Sequence, residues 1–246
     1  MRVAILTGLG AAGLATWAGF QCYLPTSQLW GKTFTGTEPG SPTLALTYDD
    51  GPNNPWTLRL LEVLERHSVK ATFFLIGRFV QQKPDIARAI VAAGHSVGNH
   101  TWDHPNLLFC SASEVRAQLE STRRVIFDAT GVETTLMRPP FGARRPATLR
   151  AVRELGLVPV MWRVTCYDWK PISAERIVAK AERQVRGGDI ILLHDGGHGR
   201  MGVDRSRSVE ASDAIVHKYK AEGYQFVTVE QMMNAAAHTR SLAGQV

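Results

Sequence analysis

Leu44-Ala45-Leu46-Thr47-Tyr48-Asp49-Asp50-Gly51-Pro52-Asn53-Asn54 runs from five uncharged residues into two adjacent carboxylates and a forced turn. The first half reads as a buried strand, short and apolar with an aromatic end. Adjacent acids repel, and packing gives no reason to place two of them there. A helix N-cap and a turn aspartate account for one of the pair at most. Parallel α/β folds gather their chemistry on loops that follow the strands, so an acid pair at this point marks a candidate site.

Working outward, the same rhythm recurs. Apolar runs at 71–77, 95–99, 135–139, 157–162, 189–194 and 224–229 alternate with amphipathic segments at 57–67, 84–94, 113–130, 145–156, 173–188, 209–223 and 230–238. About seven strands alternating with helices predict a parallel α/β domain, either an open doubly wound sheet or a barrel. Polar residues then stand where such a fold needs them. His100 follows the third run, Arg138 ends the fourth, Asp168 lies shortly after the fifth, and His194 and Asp195 end the sixth.

The chain has 246 residues, 44% hydrophobic and 20% charged, with a formal net charge of +6. That composition is globular rather than disordered. The basic residues are scattered, and no block of them resembles a nucleic-acid-binding arm. Arg2 precedes an uncharged run, Val3 to Phe20, in the order of a secretory signal or signal anchor. The run is just long enough to cross a bilayer, and Trp17, Phe20 and Tyr23 crowd the cleavage positions, which favours a retained anchor over a cleaved signal. We expect residues 1–22 to be signal or anchor, 23–42 a linker, 43–237 the domain and 238–246 a tail, in a monomer exported or held outside the cytoplasm at the membrane. Cys22 lacks the preceding small residue of a lipoprotein site. Cys110 and Cys166 read either as a disulfide or as two separate thiols.

His100 and His104 are four residues apart in Gly98-Asn99-His100-Thr101-Trp102-Asp103-His104-Pro105, a spacing that brings two imidazoles to one face of a helical turn and suits a divalent metal. Alone the pair is weak evidence. One carboxylate from Asp49-Asp50 completes a two-histidine, one-carboxylate set with open positions, the arrangement of a hydrolytic metal. One acid is then a ligand and the other a base.

Thr47-Tyr48-Asp49-Asp50-Gly51-Pro52, His100-Thr101-Trp102-Asp103-His104, Arg138-Pro139-Pro140-Phe141-Gly142, Tyr167-Asp168-Trp169 and Leu192-Leu193-His194-Asp195 resemble the five ordered motifs of the polysaccharide deacetylases. This is the NodB-homology group, carbohydrate esterase family four, and the likeness spans roughly residues 43 to 230. The resemblance implies a distorted seven-stranded (β/α) barrel of TIM type and one divalent ion, zinc first, with cobalt, nickel or manganese as alternatives. It implies Asp50, His100 and His104 as ligands, Asp49 as general base, Arg138 as the group orienting Asp49, and His194 as general acid paired with Asp168. The Phe141 N–H would be an oxyanion donor, Trp169 a sugar platform, and Leu193 the lining of an acetyl pocket. An acetylated glycan such as peptidoglycan or chitin would be the substrate. Base and acid would face each other across the barrel mouth.

Two positions depart from the family pattern without touching the acid–base set: Tyr48 replaces the commoner Phe, and Phe141 the commoner Tyr. A third, Thr165, stands where an Asp is usual and brings no charge. His95 reads as structural, whereas His198, Arg200 and Arg205 lie in a Gly-rich loop that is either substrate rim or plain surface. Two other functions compete: O-acetyl ester or cyclic-amide hydrolysis on the same fold, and glycan binding by a vestigial site.

Overall fold

The computed structural model describes residues 16–243. Eight parallel strands form one sheet: β1 (Thr43–Gly51), β2 (Thr72–Leu75), β3 (Ser96–Asn99), β4 (Leu136–Met137), β5 (Val158–Pro159), β6 (Val164–Thr165), β7 (Asp189–His194) and β8 (Gln225–Phe226). Seven follow the order β5-β4-β3-β2-β1-β7-β6, while β8 pairs only with the start of β1. The result is a seven-stranded half-barrel, in line with the distorted barrel expected.

Helices α1 (Trp56–Arg66), α2 (Gly77–Gln82), α3 (Pro84–Ala92), α4 (Ala112–Thr130), α5 (Pro146–Glu154), α6 (Ala174–Gln184) and α7 (Ser206–Ala221) lie between the strands, and α8 (Val229–Ala243) follows β8. The longest, α4, has a capping box. Ser111 Oγ accepts from Glu114 N at 3.3 Å, Glu114 Oε2 accepts from Ser111 N at 2.6 Å, and Gly131 at φ 72° ends the helix.

Strand alternation sorts the core into two compartments. Leu44, Leu46 and Tyr48 face outward and pack with Leu60, Ile90, Ile177 and Ile215 of the helices. Ala45 faces inward and packs with Phe74, Val160, Ile190 and Leu192. Each such fully buried Leu, Ile, Val or Phe side chain contributes about 1.5–3 kcal/mol relative to exposure. Thr47 and Asp49 follow Ala45 on the inner face, which carries the polar end of β1 into the mouth.

Several local expectations need correction. β6 was not expected, because two residues are too few to show alternation. The run read as a strand at 71–77 ends at Leu75, and α2 begins at Gly77. Residues 23–42 do not hang free as a linker. Phe34 N donates to Pro159 O at 2.9 Å, Met161 N donates to Phe34 O at 2.8 Å, and Thr37 N donates to Gly188 O at 2.8 Å. This strap joins the free edge of β5 to the start of β7. All three cysteines are free thiols, Cys166 being buried. Among the described residues no helix is long and apolar enough to cross a membrane. Most of the expected anchor, residues 1–15, lies outside the described residues, as does the end of the tail.

Candidate active site

The carboxyl ends of β1, β3 and β7 open into a cleft of about 930 Å³. Its floor solves the puzzle of the acid pair. Neighbouring residues in a strand point to opposite faces, so Asp49 and Asp50 could not share one mouth on a regular β1. The β1–β2 register breaks between Asp49 and Gly51, and Asp50 has φ 72°. The bulge turns the second carboxylate back beside the first. Behind it the chain comes very close. A Cβ on Gly196 would collide with the Asp50 carbonyl, so glycine is required there.

The two histidines do not sit on a helical turn, as their spacing had suggested. His100 follows β3 directly, with its N–H on Leu75 O at 2.9 Å. Thr101 and His104 both have left-handed backbone, φ 68° and 66°. Asn99 Oδ1 accepts from Thr101 N at 2.9 Å, and Thr101 Oγ1 accepts from His104 N at 3.1 Å. Short polar side chains therefore fold this loop.

Asp50, His100 and His104 are all buried, and one ligand atom from each lies within 4.8 Å of the others. Asp50 Oδ1 is 3.5 Å from His100 Nε2 and 3.3 Å from His104 Nε2, yet it is buried with no aligned hydrogen-bond partner. A buried, orphaned carboxylate oxygen flanked by two imidazoles fits a divalent cation. His100 Nδ1 lies 2.8 Å from Arg138 O, a bond that makes Nδ1 the donor and leaves Nε2 free to coordinate. His104 is held by rings instead: Phe141 edge-on at 4.6 Å, and His198 stacked at 4.6 Å and 15°.

The electrostatics agree. Burial pushes Asp50 up, but His100, His194 and His104 more than offset it, so it stays ionised. Burial, helped by His100, pushes His104 down to about 3 and keeps it neutral, as a ligand must be.

Arg138 is fully buried. Its Nη1 donates to Asp49 Oδ1 at 2.7 Å and to Thr47 Oγ1 at 2.8 Å, while its plane lies over the Phe74 ring at 4.2 Å. This holds Asp49, the inner-face aspartate of β1 that lies outside the Asp50–His100–His104 cluster. His194 Nδ1 lies 2.9 Å from Asp168 Oδ1, and Asp168 Oδ2 accepts from His194 N and Ser208 Oγ, both at 2.7 Å. Burial disfavours the charge on both partners, but each partner's charge wins: His194 is raised above 6.5 and Asp168 is lowered below 3.8.

Asp49 and His194 do not face each other across the mouth. They are Cα partners on adjacent strands. Leu193 is also displaced from its expected role. It points outward into the helix-side core, whereas Leu192, one residue earlier and on the same face as His194, lines the cleft. Alternation along β7 is the reason. Phe141 and Trp169 stand half-exposed at the rim, at 50% and 43%, with Trp169 edge-on to His194 at 5.1 Å. Pro139 and Pro140 have no N–H, so the first donor of that turn is at Phe141, φ 58°. Thr165 Oγ1 accepts from Trp162 Nε1 at 2.9 Å.

A family model described as polysaccharide deacetylase matches residues 36–160. The chain belongs to the polysaccharide deacetylase family. It is 38% identical over 189 residues to a peptidoglycan-N-acetylglucosamine deacetylase, PgdA, of Listeria monocytogenes, a match covering 77% of this chain but only 38% of that relative. It is 39% identical over 166 residues to a chitooligosaccharide deacetylase of Sinorhizobium fredii, covering 67% of this chain and 77% of the relative. The structure of the Bc1960 peptidoglycan N-acetylglucosamine deacetylase aligns with TM-score 0.78 and 33% identity, over 85% of this chain and 97% of that one.

Within this deacetylase domain, the sequence assigned no role to three residues of the site: Thr47, Ser208 and Asp195. Thr47 and Ser208 hold Arg138 and Asp168. Asp195, buried beneath Gly51, accepts from Thr57 Oγ1 at 2.5 Å and is pushed by burial up to about 7. Of the loop residues read as substrate rim or plain surface, His198, Arg200 and Arg205 all line the cleft. Thr47 and Asp195 lay inside quoted motifs, so their position was the available signal; Ser208 had none.

Proposed function

We propose that this chain is a divalent-metal-dependent hydrolase that removes N-acetyl groups from N-acetylglucosamine in a cell-wall glycan, peptidoglycan before chitin-like oligomers. The observation that carries this reading is the triad Asp50, His100 and His104, with Arg138-held Asp49 and Asp168-paired His194 beside it. The relatives' names supply the substrate class.

A cation held by that triad, zinc before cobalt, nickel or manganese, supplies Lewis-acid polarisation of the acetamide carbonyl and an acidified water. Asp49 Oδ2 takes the proton as water adds to the carbonyl carbon, while Arg138 fixes Oδ1. The Phe141 N–H donates to the oxygen as it gains charge. His194 Nε2 gives a proton to the sugar nitrogen as the C–N bond breaks, releasing acetate and a free amine. Asp168 keeps His194 charged until then. Trp169 and Phe141 offer ring faces to the sugar, and Leu192 replaces Leu193 as the apolar wall. The substrate places this action outside the cytoplasm, and residues 1–22 would tether a monomer to the membrane.

The test is acetate release from purified peptidoglycan and from chitooligosaccharides. Activity abolished by a chelator and restored by zinc supports the reading, whereas full turnover by metal-stripped protein would refute it. Turnover of acetylated xylan alone would shift the assignment to ester hydrolysis.

A further inference from the structure

One buried side chain grips two separate stretches of chain beside the cleft. Arg144 is 1% exposed. Its Nη1 donates to Gly142 O at 3.0 Å; its Nη2 donates to Leu24 O and Ser27 O at 2.7 Å and to Pro25 O at 3.3 Å. Its own N–H donates to Cys22 O at 3.0 Å. Carbonyls rather than a carboxylate therefore meet its charge. A guanidinium fork, with five fixed donors, can do this where a lysine cannot.

The stretches it joins are unequal in standing. One is the Phe141–Gly142 turn, whose two residues have φ 58° and 66° and lie in no strand. The other is the strap ahead of the barrel. The strap also lines the cleft with Pro25, and then pairs Phe34 with the backbone next to Trp162. Trp162 in turn packs under Gly142, where a Cβ would meet its ring at 3.0 Å. So the turn is braced from two directions, both ending in residues 22–37.

We propose that residues 22–37 are a working part of the active site, and that Arg144 is a positioning residue which locks the Phe141 N–H in place through this strap. The inference rests on the deacetylase reading and concerns which residues hold its oxyanion donor. A donor helps only if it already points where charge develops, and a displacement of about 1 Å costs roughly a hundredfold in rate. The strap lies largely ahead of residues 36–160, the part that matches the family. The functional unit of this chain therefore includes the strap from Cys22 onward.

The experiment compares Arg144→Lys and Arg144→Met with the wild type in the full chain. Readouts are kcat and KM on a chitooligosaccharide, zinc Kd by chelator competition, and near-UV circular dichroism. Both variants are expected to keep zinc Kd and KM within about threefold while kcat falls between about tenfold and a hundredfold. Wild-type kcat in a folded Arg144→Met overturns the proposal. So does a kcat loss matched by an equal loss of zinc affinity, which marks general damage. If neither variant folds, the full chain is nicked after folding at a protease site built into the exposed Glu38-Pro39-Gly40 turn. Stripping the strap must then lower kcat with zinc retained, and unchanged kcat overturns the proposal. A wild type with no deacetylase activity counts against the functional reading instead.

Discussion

Asp49 and His194 are register partners: their Cα positions face each other on neighbouring parallel strands, β1 and β7. The proposed base and acid are thus fixed about 4.8 Å apart at the backbone, in separate environments that suit the separate tasks proposed for them. Arg138 donates to Asp49, and the Asp168 carboxylate favours the charged, donating form of His194. Asp49→Asn should lower kcat by at least about a hundredfold while zinc Kd changes little, because Asp49 is outside the triad. Acetate release together with chelator competition checks both halves. A large loss of zinc affinity would place Asp49 among the ligands.

The His194–Asp168 pair sets a pH window. The raised His194 contributes stability that is full below its ordinary 6.5 and is lost as pH rises through its folded value. The lowered Asp168 contributes stability that is full above its ordinary 3.8 and is lost as pH falls through its folded value. Asp168→Asn removes the charge, so the alkaline limb of the kcat profile should move down towards 6.5. A limb that stays in place would assign it to another group.

Metal binding should also stabilise the fold. The orphaned Asp50 oxygen, flanked by the Nε2 atoms of two buried imidazoles, would gain a partner from a bound ion. Zinc at about 100 times its Kd should add about 2.7 kcal/mol to unfolding free energy, read as a rise in Tm over chelated protein. An unchanged Tm would mean that the triad does not take the ion.

His95 predicts a separate acid limb. It is buried, accepts from Ala71 N at Nδ1 (3.1 Å), and is pushed by burial and Lys70 down to about 4. The folded protein then resists a proton that the unfolded chain accepts below 6.5. Stability should fall by up to about 3 kcal/mol as pH drops from 6.5 to 4. His95→Asn, which keeps an acceptor, should flatten that slope in urea melts at several pH values.

The strands carrying the site were legible because each is an apolar run closed by a polar residue, as β1 is by Asp49 and β7 by His194. The residues of the Asp50–His100–His104 cluster were legible because five short motifs stood in order. What escaped was set by local backbone. The left-handed residues at 50, 101 and 104 leave no periodic trace, so the His100–His104 loop read as a helical turn. The face of Leu193 follows from alternation, yet motif position had pointed the other way. The strap around Ser27 was hidden because carbonyls from Pro- and Gly-rich chain look like linker until an arginine 117 residues away gathers them.

The bulge at position 50 also bears on how coordination is measured. Left-handed backbone is tolerated by Asp and Asn and resisted by alanine and, more strongly, by branched residues. Exchanging Asp50 for valine or alanine would therefore remove a donor oxygen and unsettle the bulge that aims it, two losses summed in one number. Asparagine keeps the bend and drops the charge, so it alone separates the ion's affinity for a carboxylate from the chain's tolerance of the pose.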